Sequence, residues 1–562
     1  MVAFSKKYWH LFSLKEKVLL ASLILVILTA GIILVNNIAH KYLKVVPATG
    51  GKMTVGIVGQ PYLLNPIVTQ ANEADTELEA LIYSSLFTID DQNNLKPSLA
   101  EKYDVSEDGK TYTIILNKNV LWQDGTDFTA DDVIFTIEAI QDPDFHSPWR
   151  SNWLGVVTEK VNQSVVQFHL NKPYVGFKDN LTVKIVPSHI WSQINVKNLA
   201  FTKYSLQPVG TGPYIFSSLT KDTLGNIISY DLKANEYYFE KMPNISTIAY
   251  RFYKNYDELK AAFQKKEVTS LSNIPVSFKE TIKNRSNYFE TIELPRYYAV
   301  FYNLKSNNSL LGDIDNRLAL NEAIDRKTIK EKAFGNNLLE ANNLISQGFL
   351  GYNSVPTTSL VYNPTHSREI LEETYHLNES SNWEKIIKQK KVADTYQPLG
   401  ITLTVADLPE LTAAAEIIKA NWDSIGIPTT IKIVSLVELE SDTIPNKNYE
   451  VLLFGEFYGR EPDPYNFWHT NGSLNLSNFS DKNADALLEE IQQISDPSKR
   501  EADLIELQNI LLEASPCFTL GNPLQLYALS PNVIGNTLRE GSYLSDRYNN
   551  VADWYIHTRL SR

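Results

Sequence analysis

The residues best equipped for chemistry crowd into one stretch, GEFYGREPDPYNFWHT at 455–470, which brings Tyr458, Arg460, Glu461, Asp463, Tyr465, Asn466 and Trp468 close together. Aromatic faces beside a few polar groups suit a pocket that grips a chain through its backbone while tolerating varied side chains. The same cluster also fits an ordinary solvated loop, and Pro462, Asp463 and Pro464 read as turn formers. Catalytic signatures are missing from the sequence: there is no G-x-S-x-G elbow and no H-E-x-x-H. The single cysteine, Cys517, sits in apolar surroundings and rules out an internal disulfide or a cysteine zinc cluster. The nine histidines are scattered, and only His469 falls beside the candidate pocket, where a lone imidazole serves as a hydrogen-bonding group. The 65 Asp and Glu residues single out no glycosidase-like pair. No catalytic residue, cofactor or metal ligand is therefore expected.

The elements that must position this loop are legible. ITLTVAD at 401–407 reads as a strand, Leu411 to Ile425 as a helix stopped by Gly426, TTIKIVS as a second strand and YEVLLFG as a third. Strand-helix-strand connections imply right-handed crossovers and a parallel sheet. In such a sheet ligands bind outside the carboxyl ends of the strands, so the loop after the third strand faces a crevice. The same argument applies to MTVGIV at 53–58, a buried strand followed by GQPYLLNP. Gln60, Tyr62 and Asn65 are pocket candidates there, or simply turn residues.

Between these lies LKPSLAEKYDVSEDGKTYTIILNKNVLWQDGTDFTADDVIFTIEAI at 95–140. Asp108-Gly109 and Asp124-Gly125 make turns, Thr111 to Leu116 a strand, and Thr129 with Asp132 a helix start ahead of an apolar stripe. Gly210-Thr211-Gly212-Pro213 marks a backbone turn, since no GK[ST] follows it.

This segment resembles the most recognisable part of the family 5 bacterial extracellular solute-binding proteins, the dipeptide- and oligopeptide-binding subunits of ABC importers. PVGTGPYIF, ANEYYFEKMPNISTIAYRFY, NRLALNEAIDRKTI, GREPDPYNFW and SDPSKREADLIELQNILLEASP follow in the family's order, from about Lys52 to the C-terminus. The resemblance implies an α/β, two-lobe periplasmic-binding-protein-like fold of class II type with an extra subdomain. Lobe I would span 52–297, with the subdomain at about 90–205; lobe II would span 298–518, and 519–562 would return to lobe I. A helix is expected over 316–334, and crossing segments at Pro295 to Asn303 and Phe518 to Leu529 would allow hinge closure. Tyr297 and Tyr298 would sit near the cleft. The implied function is capture of a peptide or similar solute and its delivery to an ABC permease and its ATPase. Typical peptide binders carry an aspartate three residues before the Asp-Pro pair, which meets the ligand's ammonium group. Here that place holds Arg460, which would repel an ammonium and could hold a carboxylate bidentately, with Glu461 adjacent as a substitute.

At 562 residues the chain holds two or three domains, and its formal net charge of -13 argues against nucleic acid. The first fifty residues are nevertheless basic. Val18 to Val35 is an uncharged run that as a helix would reach about 27 Å, enough to cross a bilayer core. Four lysines precede it and two follow, which favours a cytoplasmic 1–17, an uncleaved anchor at 18–35, a linker at 36–51 and an exported body. Family lipoproteins attach through a cysteine after the signal sequence, and Cys517 cannot serve that purpose. Other readings of the same fold are an oligosaccharide or metal-chelate binder, with Trp122, Trp153 and Trp468 as platforms, or a tethered sensor or adhesion protein.

Overall fold

The computed structural model describes residues 13–42, 44–68, 72–90, 94–174, 176–275, 278, 289–293, 296–341, 361–374, 376–377, 388–392, 395–398, 400–457, 464–494, 496–537, 541 and 543–561. Its spine is one long sheet running through the strands Thr429–Val434, Ile401–Ala406, Val451–Phe457, Arg296–Tyr302, Cys517–Ala528, Ser270–Ile274, Lys52–Val58, Thr247–Tyr253, Ile227–Ala234 and Tyr214–Lys221. The three strands of 401–457 pair in parallel, as β-rich runs joined by helical crossovers should. The helix between the first two runs from Pro409 to Ser424, with Gly426 behind it at φ +88.

Two large cores flank this spine. One packs the strands of 52–58, 214–234 and 247–253 against the helix Glu73–Ile82, the 94–205 region and the C-terminal residues 544–554; the other gathers 297–302 with the helices and strands of 310–520. A smaller cluster lies where the helix Tyr256–Gln264 covers strands 270–274 and 517–528. Most of the favourable free energy is apolar burial in these cores, at about 25 cal/mol per Å².

The long strand Cys517–Ala528 joins the two cores. Cys517 to Gly521 pair with Arg296–Tyr302, whereas Leu524 to Ala528 pair with Phe289–Glu293. Cys517 itself is half-buried against the second core.

Within 94–205 the strands Ala100–Val105, Thr111–Leu116, Val165–His169 and Val157–Asn162 form a separate four-stranded sheet. The helix Ala130–Gln141 packs on it and begins with a full capping box between Thr129 and Asp132. Asp132, buried, also accepts from the Trp122 indole N–H at 3.2 Å and the Ser188 amide at 2.8 Å. Trp122 and Trp153 are therefore core residues rather than platforms: both are almost fully buried, Trp153 edge-on to Phe168 and Phe177. The turn at 210–213 presses against the helix 73–82. A Cβ on Gly210 would fall 1.9 Å from the Ile82 carbonyl oxygen, and Gln123 Nε2 donates to the Tyr214 carbonyl at 2.9 Å beside it.

The helix expected over 316–334 is broken. Ile314–Glu322 ends before Asp325, whose carboxylate caps a second helix, Arg326–Lys332, by accepting from the Thr328 amide at 3.0 Å and hydroxyl at 2.7 Å. An aspartate competes with the helical backbone and starts a new helix instead.

At the N-terminus the helix Leu14–Tyr42 runs for 29 residues and carries exposed Val18, Leu19, Leu23, Leu25, Val26, Ile27 and Leu28. Among the described residues no helix is long and apolar enough to cross a membrane, the side chains at 20, 21, 24 and 32–42 lying outside that description. Lys44–Ala48, inside the stretch expected to be a linker, forms a strand antiparallel to the C-terminal His557–Ser561.

Candidate functional site

The regions around both large cores use one local device. In the first, strand Lys52–Val58 leads through a loop to the helix Glu73–Ile82; in the second, strand Ile401–Ala406 leads to the helix Pro409–Ser424. Asn72 caps the first helix by accepting from the Ala74 amide, and Pro409 starts the second. Glu73 and Glu410 thus stand at first-turn positions at the carboxyl ends of parallel strands. Tyr256 lies within the field of both: its hydroxyl pKa is raised by burial, then by the charges of Glu73 and Glu410. One carboxylate from each core region thus acts on the same phenol.

Beside it run the paired strands Arg296–Tyr302 and Cys517–Ala528. Burial raises the pKa of the Tyr298 hydroxyl, the Arg296 charge lowers it and the Glu410 charge raises it. Arg296 also acts on Glu73 and on Tyr543. Burial, and next the Glu77 carboxylate, push Glu73 up to about 7. Gln525 Nε2 donates to Glu73 Oε1 at 3.3 Å and to Asn273 Oδ1 at 3.4 Å, and the Tyr256 hydroxyl donates to the Asn273 carbonyl at 3.4 Å. Asn273 has φ +39, unusual for a residue other than glycine and a pattern that clusters at ligand sites. Behind this wall Asp75, buried and pushed up to about 7, accepts from the backbone amides of Tyr62 at 2.8 Å and Leu63 at 3.3 Å, which fixes the loop above the first strand.

The candidates read from sequence distribute unevenly over this geometry. Tyr62 is 67% exposed, its ring free above that loop. Gln60 is turned to the neighbouring hairpin, accepting from the Ile227 amide at 2.6 Å, and Asn65 is fully buried, accepting from the Ile67 amide at 3.0 Å. Successive residues of a strand face opposite sides. Tyr298 accordingly shares a face with Arg296, while Tyr297 lies on the other, buried and tilted against Phe301 at 6.2 Å. Trp468 belongs to the short helix Tyr465–Trp468 and is buried in the second core, edge-on to Phe479. His469 is buried as well, stacked on Tyr465 at 4.2 Å and accepting from the Asn471 amide through Nδ1 at 3.0 Å. Tyr458, Arg460 and Glu461 lie outside the described residues.

Glu73, Tyr256, Asn273, Arg296, Glu410 and Gln525 carry no motif that sequence inspection isolates. The strand-end rule that selected Gln60 and Tyr62 points equally to the first helical residue beyond each loop, which is Glu73 in one lobe and Glu410 in the other. Among the described residues no group of three or more His, Cys, Asp or Glu side chains is placed to hold a metal ion. Glu73, Glu410, Arg296, Gln525 and Tyr256 offer charged, amide and phenolic groups that can recognise a polar solute.

Comparison with known proteins agrees with this geometry. Residues 94–478 match the family model described as bacterial extracellular solute-binding proteins, family 5 Middle. The chain is 26% identical to the oligopeptide-binding protein AppA of Bacillus subtilis over 87% of its own length and 89% of that protein's. It is 25% identical to the dipeptide-binding protein of Escherichia coli K12, covering 76% of this chain and 80% of the relative. Among solved structures it resembles Bacillus subtilis AppA in complex with a nonapeptide, with a TM-score of 0.71, 24% identity and coverage of 91% and 100%. The substrate-binding protein CtaP of Listeria monocytogenes gives a TM-score of 0.75 at 22% identity, covering 90% and 99%. These likenesses establish the periplasmic-binding-protein-like α/β fold.

Proposed function

This chain belongs to the bacterial extracellular solute-binding proteins of family 5, and from that premise we propose that it captures peptides outside the cytoplasmic membrane for an ABC importer. The observation that supports the reading is that Glu73 of one lobe and Glu410 of the other both act on Tyr256, while Arg296 opens the strand Arg296–Tyr302 that pairs with the one joining the two cores. Lobes 52–297 and 298–518, with 519–562 returning to the first, close about the two crossing segments when a ligand bridges them. Contacts made only in the closed form drive that equilibrium. Relatives named for oligopeptides and dipeptides support peptide cargo.

Binding rather than turnover is the task, with backbone hydrogen bonds and aromatic contacts supplying affinity. Of the expected contacts, Tyr62 and Tyr298 are the best supported, the first by its exposure and the second by the influence of Arg296 and Glu410 on its hydroxyl. Arg460 and Glu461 set the preference for terminal charge. Val18 to Val35 anchors the protein, with the N-terminus cytoplasmic; the uncharged run and its exposed leucines, isoleucine and valines support that reading. The closed form docks on a permease whose ATPase supplies the work.

Native mass spectrometry of the detergent-solubilised full chain, followed by denaturation, tests the cargo. Peptides of mixed sequence and similar length are expected. A single non-peptide solute would overturn the peptide reading and leave the family assignment standing.

A further inference from the structure

A cavity of about 100 Å³ lies inside the first lobe, behind the helix Glu73–Ile82, and its lining includes Pro66, Trp149, Lys184 and Tyr543. One water needs roughly 10–15 Å³, so the space holds several waters or one molecule of amino-acid size. A neighbouring cavity of about 70 Å³ shares Ser85, Thr88, Lys184 and Asn549 with it.

Lys184 is the feature that calls for an explanation. Its backbone is fixed by a bridge to Ser85 and by the Ile185 amide donating to the Ser84 carbonyl at 3.0 Å. The residue is half-buried; burial lowers the pKa of its ammonium, opposed by the charges of Asp546 and Glu79. Among the described residues that ammonium makes no hydrogen bond or ion pair, and neither do the hydroxyls of Thr88 and Ser545, which also line the cavity. A partly desolvated ammonium that faces a cavity without an acceptor is costly. The lining also holds an aromatic pair: Trp149 meets Tyr543 edge-on at 6.1 Å and donates its indole N–H to the Pro66 carbonyl.

We propose that this cavity is a second binding site, distinct from the cleft between the lobes, for a small zwitterion of the free amino-acid class. The ligand carboxylate accepts from Lys184, Thr88 and Ser545. Its ammonium faces Glu79 and Asp546, and its side chain lies against Trp149. One cation beside two carboxylates matches a ligand carrying both signs better than a simple anion. The inference does not depend on peptide capture in the cleft.

Calorimetric titration of the full chain with L-leucine, leucinamide and N-acetyl-leucine tests it, with capture of a mixed peptide pool measured alongside. Saturable 1:1 binding of leucine is expected, with each blocked derivative weaker by at least about tenfold, since a lost charged hydrogen bond is worth that much. Lys184→Met should weaken leucine to the same extent while peptide capture stays unchanged. Ser545→Val, which leaves the lysine in place, should weaken it less and guards against a variant that fails to fold. No saturation, equal binding of leucinamide, or unchanged affinity in Lys184→Met would overturn the proposal. Lost peptide capture in the unmodified protein would count against the transport reading alone.

Discussion

Arg547 and Glu77 meet as a two-pronged ion pair at 2.6 and 2.5 Å, with both side chains all but sealed from solvent. Tyr250 donates to Glu77 at 3.1 Å, and the guanidinium lies over the Tyr548 ring and donates to Ser272 Oγ at 3.2 Å. This contact clamps the C-terminal return onto the first helix and the inner strands of the first lobe. Removing one member strands a buried charge, so Arg547→Ala should cost about 3–5 kcal/mol in urea unfolding, whereas Glu77→Leu with Arg547→Met should recover much of it. A loss below about 1 kcal/mol for the single change would mean that water reaches the pair.

Glu73 and Asp75 give stability a pH dependence of definite sign. Both are pushed up to about 7 in the folded chain, mainly by burial, against ordinary carboxyl values near 4. The native state therefore holds these protons longer than the unfolded one. Their contribution is full below about pH 4, falls as the pH rises towards 7, and is constant above that. Melting temperatures measured between about pH 5 and 8 should decline, and Glu73→Gln should flatten part of that decline, by up to about 3 kcal/mol. A profile unchanged by Glu73→Gln would place that carboxylate in contact with bulk water.

Much of this architecture was legible because local signals agreed with the global fold. The parallel strands of 401–457 and the capped helix at 130 follow from periodicity, turn residues and an N-cap read in order. Trp122 and Trp153 misled because aromatic composition does not say which face of an element a ring occupies; Asp132 draws one inward and two phenylalanines bury the other. The run at 316–334 misled because its apolar period continues across Asp325, whose capping bonds break the helix. Arg296 and Gln525 stayed silent since their meaning depends on two strands, more than 200 residues apart, meeting at one junction. Lys184 is quieter still. Only its place in a cavity lining, with no acceptor among the described residues, marks it.

The position three residues before Asp463-Pro464 offers a test of cargo chemistry. An aspartate there would attract a free ammonium and an arginine repels it. Arg460→Asp should shift preference towards ligands with a free α-amine, by about tenfold or more for one charge-assisted contact. Paired titrations of free and N-acetylated peptides of the same sequence measure this. An unchanged ratio would remove Arg460 from the recognition of the ligand terminus.

Gly521 occupies the point where the long strand changes partners. It is the last residue paired with Arg296–Tyr302, opposite Tyr298, and Leu524 is the first paired with Phe289–Glu293. Its φ of +152 is one that side chains rarely adopt, and a Cβ there would come within 2.3 Å of the Leu339 carbonyl oxygen. Neither backbone can yield without disturbing the crossing. Gly521→Ala should therefore destabilise the protein by about 1–3 kcal/mol, the usual cost of a forced backbone conformation. Because the strain falls where lobe rotation must be absorbed, ligand-induced compaction in small-angle scattering should also shrink, in a way that an equally destabilising core change such as Ile418→Val would not reproduce. If the two variants compact alike, the junction at Gly521 bears structure only and the bending lies elsewhere along 289–302.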